Sequence, residues 1–301
     1  MAPNNPRVTV IMPTYNGIKY LSQQIDSILN QVDVEVSLWV RDDGSTDGTV
    51  EFLESLGDSI TFLKDDLGNL GTAGNLIQLI DNIESVDYLA TADQDDVWSP
   101  EHLKEAVQTL VVDKPALYFP RYKIIDEHGN YVRDLPIKKK LGIQNALVQN
   151  QVIGCGIVIN GKSFDLIKSI NLRSDFYIDW QLYFLHASLD SLVQGSNFGV
   201  FYRIHTENSV GVRSRKSIKR TIKSGNILRN YSFAIDVFSD LFMQIEENVS
   251  NTNKTIIEKF LYQAREGFFR RVRYSLKPEF RRSTAFDQLI FRVLNVLVTK
   301  N

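Results

Sequence analysis

A chain of 301 residues with 43% hydrophobic and 23% charged side chains is long enough to bury a substantial core, and it holds no repeat or low-complexity tract that would argue for a solenoid or for disorder. No apolar run reaches the roughly 18 residues of a membrane span, no basic-then-apolar signal stands at the N-terminus, and the single cysteine, Cys155, excludes an internal disulfide, so a cytoplasmic protein is expected. The net charge of -2 divides unevenly, because residues 1–212 carry 16 Lys and Arg against 28 Asp and Glu, whereas residues 213–301 carry 18 against 8. An acidic front needs a cation if it is to hold an anionic substrate, and a basic tail suits phospholipid or pyrophosphate; no recognised nucleic-acid motif accompanies that tail, so nucleic acid is not an expected partner.

The first segment, Val8-Thr9-Val10-Ile11-Met12, is a β-branched apolar run stopped by Pro13, which predicts a buried parallel strand. Asn16-Gly17 turns the chain. Leu21, Ile25, Ile28 and Leu29 then recur at helical spacing between about Tyr20 and Asn30, and Val34 to Val40 returns to strand character. Asp42 to Thr49 is an acidic, glycine-rich turn that opens a helix bearing Val50, Phe52, Leu53 and Leu56. The alternation continues with a strand at Ile60 to Leu63, a helix from Thr72 to Ile83 and a strand from Tyr88 to Ala92. Strands alternating with helices imply right-handed crossovers, hence an α/β class with a mostly parallel sheet flanked by helices. Ligands gather at the carboxyl ends of such strands, which is where Pro13 to Gly17, Asp42 to Gly48 and Asp93 to Asp96 fall. Farther along, Leu117-Tyr118-Phe119 and Val152 to Ile159 read as strands, His128-Gly129-Asn130 as a hairpin turn, and Val200 to Ile204 as a short strand. From about Ser217 the chain reads as helical, ending in an apolar stripe of Phe286, Leu289, Ile290, Val293, Leu294 and Leu297.

Asp93-Gln94-Asp95-Asp96-Val97-Trp98 packs three carboxylates into four residues at a strand end. Their mutual repulsion is tolerable only if the turn is solvated or if a cation neutralises it. Mn²⁺ or Mg²⁺ answers the second case, since both take one or two protein carboxylates and leave positions for phosphate and water. An isolated Asp-x-Asp is more often a solvated acidic turn, and Asp42-Asp43-Gly44-Ser45 taken singly is more often a helix cap. An aspartate at that second position could equally accept from the imide N–H of uracil or thymine. Asn69-Leu70-Gly71 adds a glycine-rich bend ahead of the next helix.

Val10-Ile11-Met12-Pro13-Thr14-Tyr15-Asn16-Gly17, Val40-Arg41-Asp42-Asp43-Gly44-Ser45-Thr46-Asp47-Gly48-Thr49, Asn69-Leu70-Gly71 and Ala92-Asp93-Gln94-Asp95-Asp96-Val97-Trp98, in this order, resemble the inverting family 2 glycosyltransferases of GT-A fold. The form Asp-Gln-Asp-Asp-Val-Trp is most similar to the rhamnosyltransferase-like members that build bacterial surface polysaccharides. The resemblance covers about residues 8–212. It implies a catalytic domain over 1–212, divided into a nucleotide-sugar half (1–98) and an acceptor half (99–212), followed by a basic helical region (213–301). It further implies a UDP- or dTDP-sugar donor, held by Pro13, Thr14, Tyr15, Asp43, Asn69, Gly71 and Gln94, with Asp42 reading the base. Asp93 and Asp95 would form the ribose and metal pair, Asp95 being the first choice as ligand and Asp96 a supporting group. Tyr202-Arg203-Ile204-His205-Thr206-Glu207-Asn208 resembles a Tyr-Arg-x-His-x-x-Asn segment of the family, which implies His205 as a third ligand and Arg203, with Arg213 or Arg215, facing the diphosphate.

Inverting transfer needs a general base for the acceptor hydroxyl. The resemblance places it in Tyr177-Ile178-Asp179-Trp180, at Asp179, with Asp175 as the fallback; the position also suits a helix N-cap, where the dipole favours the carboxylate form a base requires. The basic clusters Phe268 to Arg273 and Arg281-Arg282 beside the last apolar stripe suit an amphipathic element on an anionic membrane face, which would bring the enzyme to a polyprenyl-linked glycan on the inner side of the plasma membrane. Packing on the catalytic domain or in a homo-oligomer is the alternative use of the stripe. Two rival classes remain open: a non-catalytic nucleotide-sugar binding protein on the same fold, and a dinucleotide-dependent dehydrogenase. The second is disfavoured because no Gly-x-Gly-x-x-Gly follows the first strand.

Overall fold

The computed structural model describes residues 5–136, 141–206 and 226–265, together with Phe280, Arg282 and Phe291. Chain order in the first third is β1 (Arg7–Thr14), α1 (Ile18–Leu29), β2 (Glu35–Asp42), α2 (Thr49–Ser55), β3 (Thr61–Leu63), α3 (Gly71–Asp81) and β4 (Tyr88–Thr91). There follow β5 (Val97–Trp98), α4 (His102–Thr109), β6 (Leu117–Ile125), β7 (Tyr131–Asp134), α5 (Ile143–Ala146), β8 (Val158–Asn160) and α6 (Gly161–Ser169). The last described elements are α7 (Ile178–Ser188), β9 (Leu192–Arg203), α8 (Asn226–Ile245) and α9 (Asn251–Arg265).

The nine strands among the described residues join one sheet, in the order β3-β2-β1-β4-β8-β6-β9-β5, with β7 paired to β6. Its first half is parallel: β1 runs beside both β2 and β4, and β2 beside β3. The central strands β1 and β4 are buried on both faces, which is why β1 reads as an almost unbroken apolar run rather than an alternating one. Between them α1 buries Leu21, Gln24, Ile25 and Ile28, one stripe at helical spacing. Past β4 the sheet becomes mixed, since β8 is antiparallel to β4 and β6, while β6 and β9 are parallel.

The expected elements recur with three changes. The strand expected over Val152 to Ile159 is confined to Val158–Asn160. Ahead of it Gly156 has φ 77°, which breaks the extended run, and a Cβ there would stand 2.5 Å from Val200 Cγ2, so the bend calls for glycine. The strand expected from Val200 begins at Leu192; its first half carries Gly195, Ser196 and Asn197, residues of low strand propensity at an irregularity in the pairing with β6, where Glu105 Oε1 accepts from Ser196 N at 2.8 Å. The hairpin at His128-Gly129-Asn130 joins β6 to β7 as expected, and β6 itself runs on through Pro120.

The chain divides into two compact units. The first comprises Met1–Ile137, Val152–Ile178 and Ser191–Glu207 and contains the whole sheet. The second comprises Lys138–Gln151, Asp179–Asp190 and Asn208–Asn301, and among its described residues it is helical. Its core stacks Phe184 on Phe238 at 4.6 Å between ring centroids, with Trp180 edge-on to Phe238 at 5.6 Å. Trp180 Nε1 donates to the Ala146 carbonyl at 2.7 Å, and Asn253 Nδ2 donates to the Ser188 carbonyl at 3.0 Å. The apolar stripe from Phe286 to Leu297 (Phe291 apart), the Phe268–Arg273 cluster, and Arg213 and Arg215 lie outside the described residues. No described helix is long and apolar enough to cross a membrane.

Candidate functional site

The register that pairs Thr14 with Asp42 and Ile11 with Thr91 brings the carboxyl ends of β1, β2 and β4 side by side, so the loops that follow them meet on one side of the sheet. The first two loops are sewn together. Thr14 Oγ1 donates to Asp42 Oδ2 at 2.8 Å, and Asn16, at φ 48°, donates its N–H to Ser45 Oγ at 2.7 Å while its Oδ1 accepts from Thr46 N at 2.8 Å. Gly17 N donates to Thr49 Oγ1 at 2.9 Å.

Asp42, expected at the base, accepts four hydrogen bonds: from Thr14 Oγ1, from the N–H groups of Gly44 (2.9 Å) and Ser45 (2.7 Å), and from Ser45 Oγ (2.6 Å). It therefore builds the Asp-Gly-Ser turn, whose Gly44 sits at φ 90°. Asp43 is buried and pairs with Arg41, itself 1% exposed. Arg41 also grips Asp65 through Nε and Nη2, both at 2.8 Å, and this pairing holds the Asp65 carboxyl below its ordinary range. Leu70 N donates to Asp43 Oδ1 at 3.2 Å and Asn69 Nδ2 to the Asp43 carbonyl at 3.1 Å, so the exposed Asn69-Leu70-Gly71 bend is anchored on Asp43.

The third loop carries the acidic turn. Asp95 Oδ2 lies 2.7 Å from His205 Nε2, and the two side chains keep 17% and 11% of their exposure. Arg203 holds this pair in place. Its backbone N–H donates to Asp96 Oδ1 at 2.8 Å, its Nε to the Asp95 carbonyl at 2.7 Å and its Nη2 to Gln23 Oε1 at 2.7 Å, and its guanidinium lies 4.7 Å from the Tyr20 ring centroid. At 1% exposure and so engaged, Arg203 braces the loop. Gln24 Nε2 donates to the Asp93 carbonyl at 2.8 Å, and Gln94 bonds the main chain of Tyr15.

Asp96 is fully buried. Burial, reinforced by the negative charge of Asp95 and Asp93, pushes its carboxyl well above the usual range against the opposing Arg203 N–H bond, and its Oδ2 has no hydrogen-bond partner among the described residues. Asp93, Asp96 and Cys155 place ligand atoms within 4.8 Å of one another. The buried Cys155 thiol is likewise pushed well up, first by burial and then by the Asp96 charge. The half-exposed donors of the turn are Asp93, Asp95 and, from the end of β9, His205.

Asp179 falls in the second unit, one residue inside α7 rather than at its N-cap, because the helix begins at Ile178. It is half-buried in the first turn, where unpaired backbone N–H groups favour a carboxylate. Asp175, the fallback, is exposed and ion-paired to Arg173 at 2.8 Å, which holds its carboxyl below the ordinary range. Sequence reading missed Tyr20, Gln23, Gln24, Arg41 and Asp65. Gln24 did leave a signal, a polar residue on the apolar stripe of Leu21, Ile25 and Ile28.

A parallel half-sheet whose strand ends gather an Asp-x-Asp turn, an imidazole and a pair of glycine-rich acidic loops is the arrangement of a sugar transferase of GT-A fold. The glycosyl transferase family 2 model matches residues 9–166, more than half of the chain, and the protein belongs to that family, whose members take their sugar from a nucleotide-sugar donor. Among curated relatives, a dTDP-rhamnosyl transferase, RfbG, of Shigella flexneri is 29% identical over 73% of this chain and 79% of its own. A UDP-Glc:α-D-GlcNAc-diphosphoundecaprenol β-1,3-glucosyltransferase, WfgD, of Escherichia coli is 27% identical over 71% of this chain and 83% of its own. In fold, the chain is similar to S. aureus TarS 1-349 solved with UDP-GlcNAc, with a TM-score of 0.55 at 15% identity over 96% of this chain and 90% of that one. It is also similar to the mannosyltransferase PcManGT of Pyrobaculum calidifontis solved with GDP-Man and Mn²⁺, at 0.51 and 14% over 98% and 88%.

Proposed function

We propose that the protein moves a sugar from a UDP- or dTDP-sugar, dTDP-L-rhamnose first and a UDP-hexose second, to a hydroxyl of a glycan or polyprenyl-linked glycan in bacterial surface-polysaccharide synthesis, with inversion at the anomeric carbon. The order of donors rests on the resemblance of Asp93 to Trp98 to the rhamnosyltransferase-like members, while a rhamnosyl and a glucosyl relative stand at near-equal identity. The observation that carries the reading is the Asp95–His205 pair at the strand ends, braced by Arg203 and tied through Gln94 to the β1 loop.

Asp95 Oδ2 and His205 Nε2 stand 2.7 Å apart, whereas the ligand atoms that lie within 4.8 Å of one another among the described residues are those of Asp93, Asp96 and Cys155. Asp95 offers oxygen, His205 nitrogen and Asp93 a second carboxylate, a mixture that Mn²⁺ accepts readily and Mg²⁺ accepts less well. Asp95, Asp93 and His205 would hold the ion, which when bound supplies positive charge to the diphosphate as that group departs. The protein groups do the rest. Thr14, Tyr15, Asp42, Asp43, Asn69 and Gly71 form the loops against which the nucleotide rests. Asp179 accepts the acceptor's hydroxyl proton as that oxygen bonds the anomeric carbon, the bond from this carbon to the phosphate oxygen breaks, and no covalent enzyme intermediate forms. We place the enzyme in the cytoplasm, in peripheral contact with the inner membrane face, with the helical C-terminal region serving the acceptor or a second subunit.

A panel of UDP-, dTDP- and GDP-sugars, scored with and without Mn²⁺ for slow hydrolysis and for transfer, tests the class and the base preference together. Metal-dependent turnover of UDP- or dTDP-sugars is expected, and turnover of GDP-sugars alone would overturn the base assignment. Asp179→Asn should bind donor as the wild type does and lose about 10²–10⁴ in transfer rate, the range of a general base. Full transfer by that variant would remove Asp179 from the mechanism.

A further inference from the structure

We propose that the Gln94 side chain is a positioning residue that clamps the β1 loop to the acidic turn, and that Gly17 is glycine to make room for it. The inference rests on the reading of these loops as the donor site. Gln94 Oε1 accepts from Tyr15 N at 2.9 Å and its Nε2 donates to the Tyr15 carbonyl at 3.0 Å, so one planar amide satisfies both polar groups of a single main-chain residue 79 positions away. Tyr15 is 51% exposed beside this contact, and Gln94 adjoins Asp95 in the chain. The amide thus fixes the spacing between the loop that would receive the nucleotide and the carboxylate that would receive the metal.

Gly17 supplies the independent observation. Its backbone, at φ -107° and ψ 3°, is open to any L residue, so conformation does not call for glycine there. Space does. A Cβ built on Gly17 would lie 2.2 Å from Gln94 Oε1, 2.5 Å from Cδ and 3.0 Å from Nε2, its three nearest neighbours. A methyl at position 17 therefore evicts the amide and breaks the clamp, and removing the amide takes away the three atoms nearest that methyl.

This makes a double-substitution cycle on the full-length enzyme decisive. Gln94→Ala and Gly17→Ala should each raise donor KM about fivefold to thirtyfold, the worth of one or two net hydrogen bonds, with kcat changed less than about twofold. The double variant should be no worse than either single one, because both act on the same contact. Gln94→Glu, which keeps the acceptor for Tyr15 N–H but turns a second acceptor toward the Tyr15 carbonyl, should resemble Gln94→Ala. Additive KM effects, an unchanged KM in Gly17→Ala, or losses confined to kcat would overturn the proposal. A wild-type chain that turns over no nucleotide sugar would instead sink the functional reading beneath it, so the two failures are told apart. Urea midpoints within the range of the wild type keep misfolding from imitating the result.

Discussion

Two acidic turns end neighbouring strands, and the protein treats them in opposite ways. After β2, Asp42 accepts four hydrogen bonds from its own loop and from Thr14, and Asp43 is closed off by Arg41 and the Leu70 N–H. After β4, the Asp95 carboxylate meets an imidazole, Asp96 Oδ1 takes one backbone N–H, and Asp96 Oδ2 takes no protein donor among the described residues. The first turn is held by donors of its own loops. The second brings three carboxyl groups together beside the His205 imidazole and the Arg203 guanidinium, and a divalent cation is the further partner we propose for it. Residue type alone does not separate the two; the donors that surround each carboxylate do.

The largest effect expected from this contrast is on turnover. Asp95→Ala should lower metal-dependent transfer at least about 10³-fold, the loss of charge stabilisation in the transition state, while leaving the thermal midpoint of the ion-free enzyme unchanged or raised, since a repelling carboxylate has gone. A large fall in ion-free stability would show that Asp95 is architecture too and break the contrast. The opposite pattern is expected across β2. Arg41→Met strands the buried Asp43 carboxylate and should cost about 3–5 kcal/mol in urea denaturation, a loss at the upper end for a single substitution. A cost below about 1 kcal/mol would mean that Asp43 is not held by its ion pair.

The parallel half of the fold is legible in the sequence because its central strands β1 and β4 are buried on both faces, so apolar runs and helical stripes alternate from β1 to β4. The later strands are not, because β9 runs through an irregularity at Gly195 to Asn197 that Glu105 supports and β8 is cut short by the bend at Gly156. Site residues follow the same logic. Asp93, Asp95 and His205 stand in a motif whose chemistry is local, so the sequence points to them. Arg41 shares its charge with Asp65, 24 positions away, and Arg203 braces Asp95 across 108, pairings that become visible only when strands are adjacent. This is why the sequence carries no sign that Arg203 is buried against Asp95, Asp96 and Gln23.

The smallest effect expected is also the one with a sign that separates the two turns. Folding raises the Asp96 pKa above its ordinary value of 3.8, chiefly through burial. The folded chain therefore keeps a proton that the unfolded chain releases once pH exceeds about 4. Stability carried by this group is complete below the unfolded pKa and is lost as pH rises toward the folded one, by at most about 1.4 kcal/mol per pH unit. Asp96→Asn, which keeps the acceptor for Arg203 N–H and has no proton to lose, should flatten that decline in ion-free buffer. A variant whose urea midpoints fall with pH as steeply as the wild type's would show that Asp96 is ionised in the folded protein, and the acidic turn would then carry one more negative charge for a cation to balance.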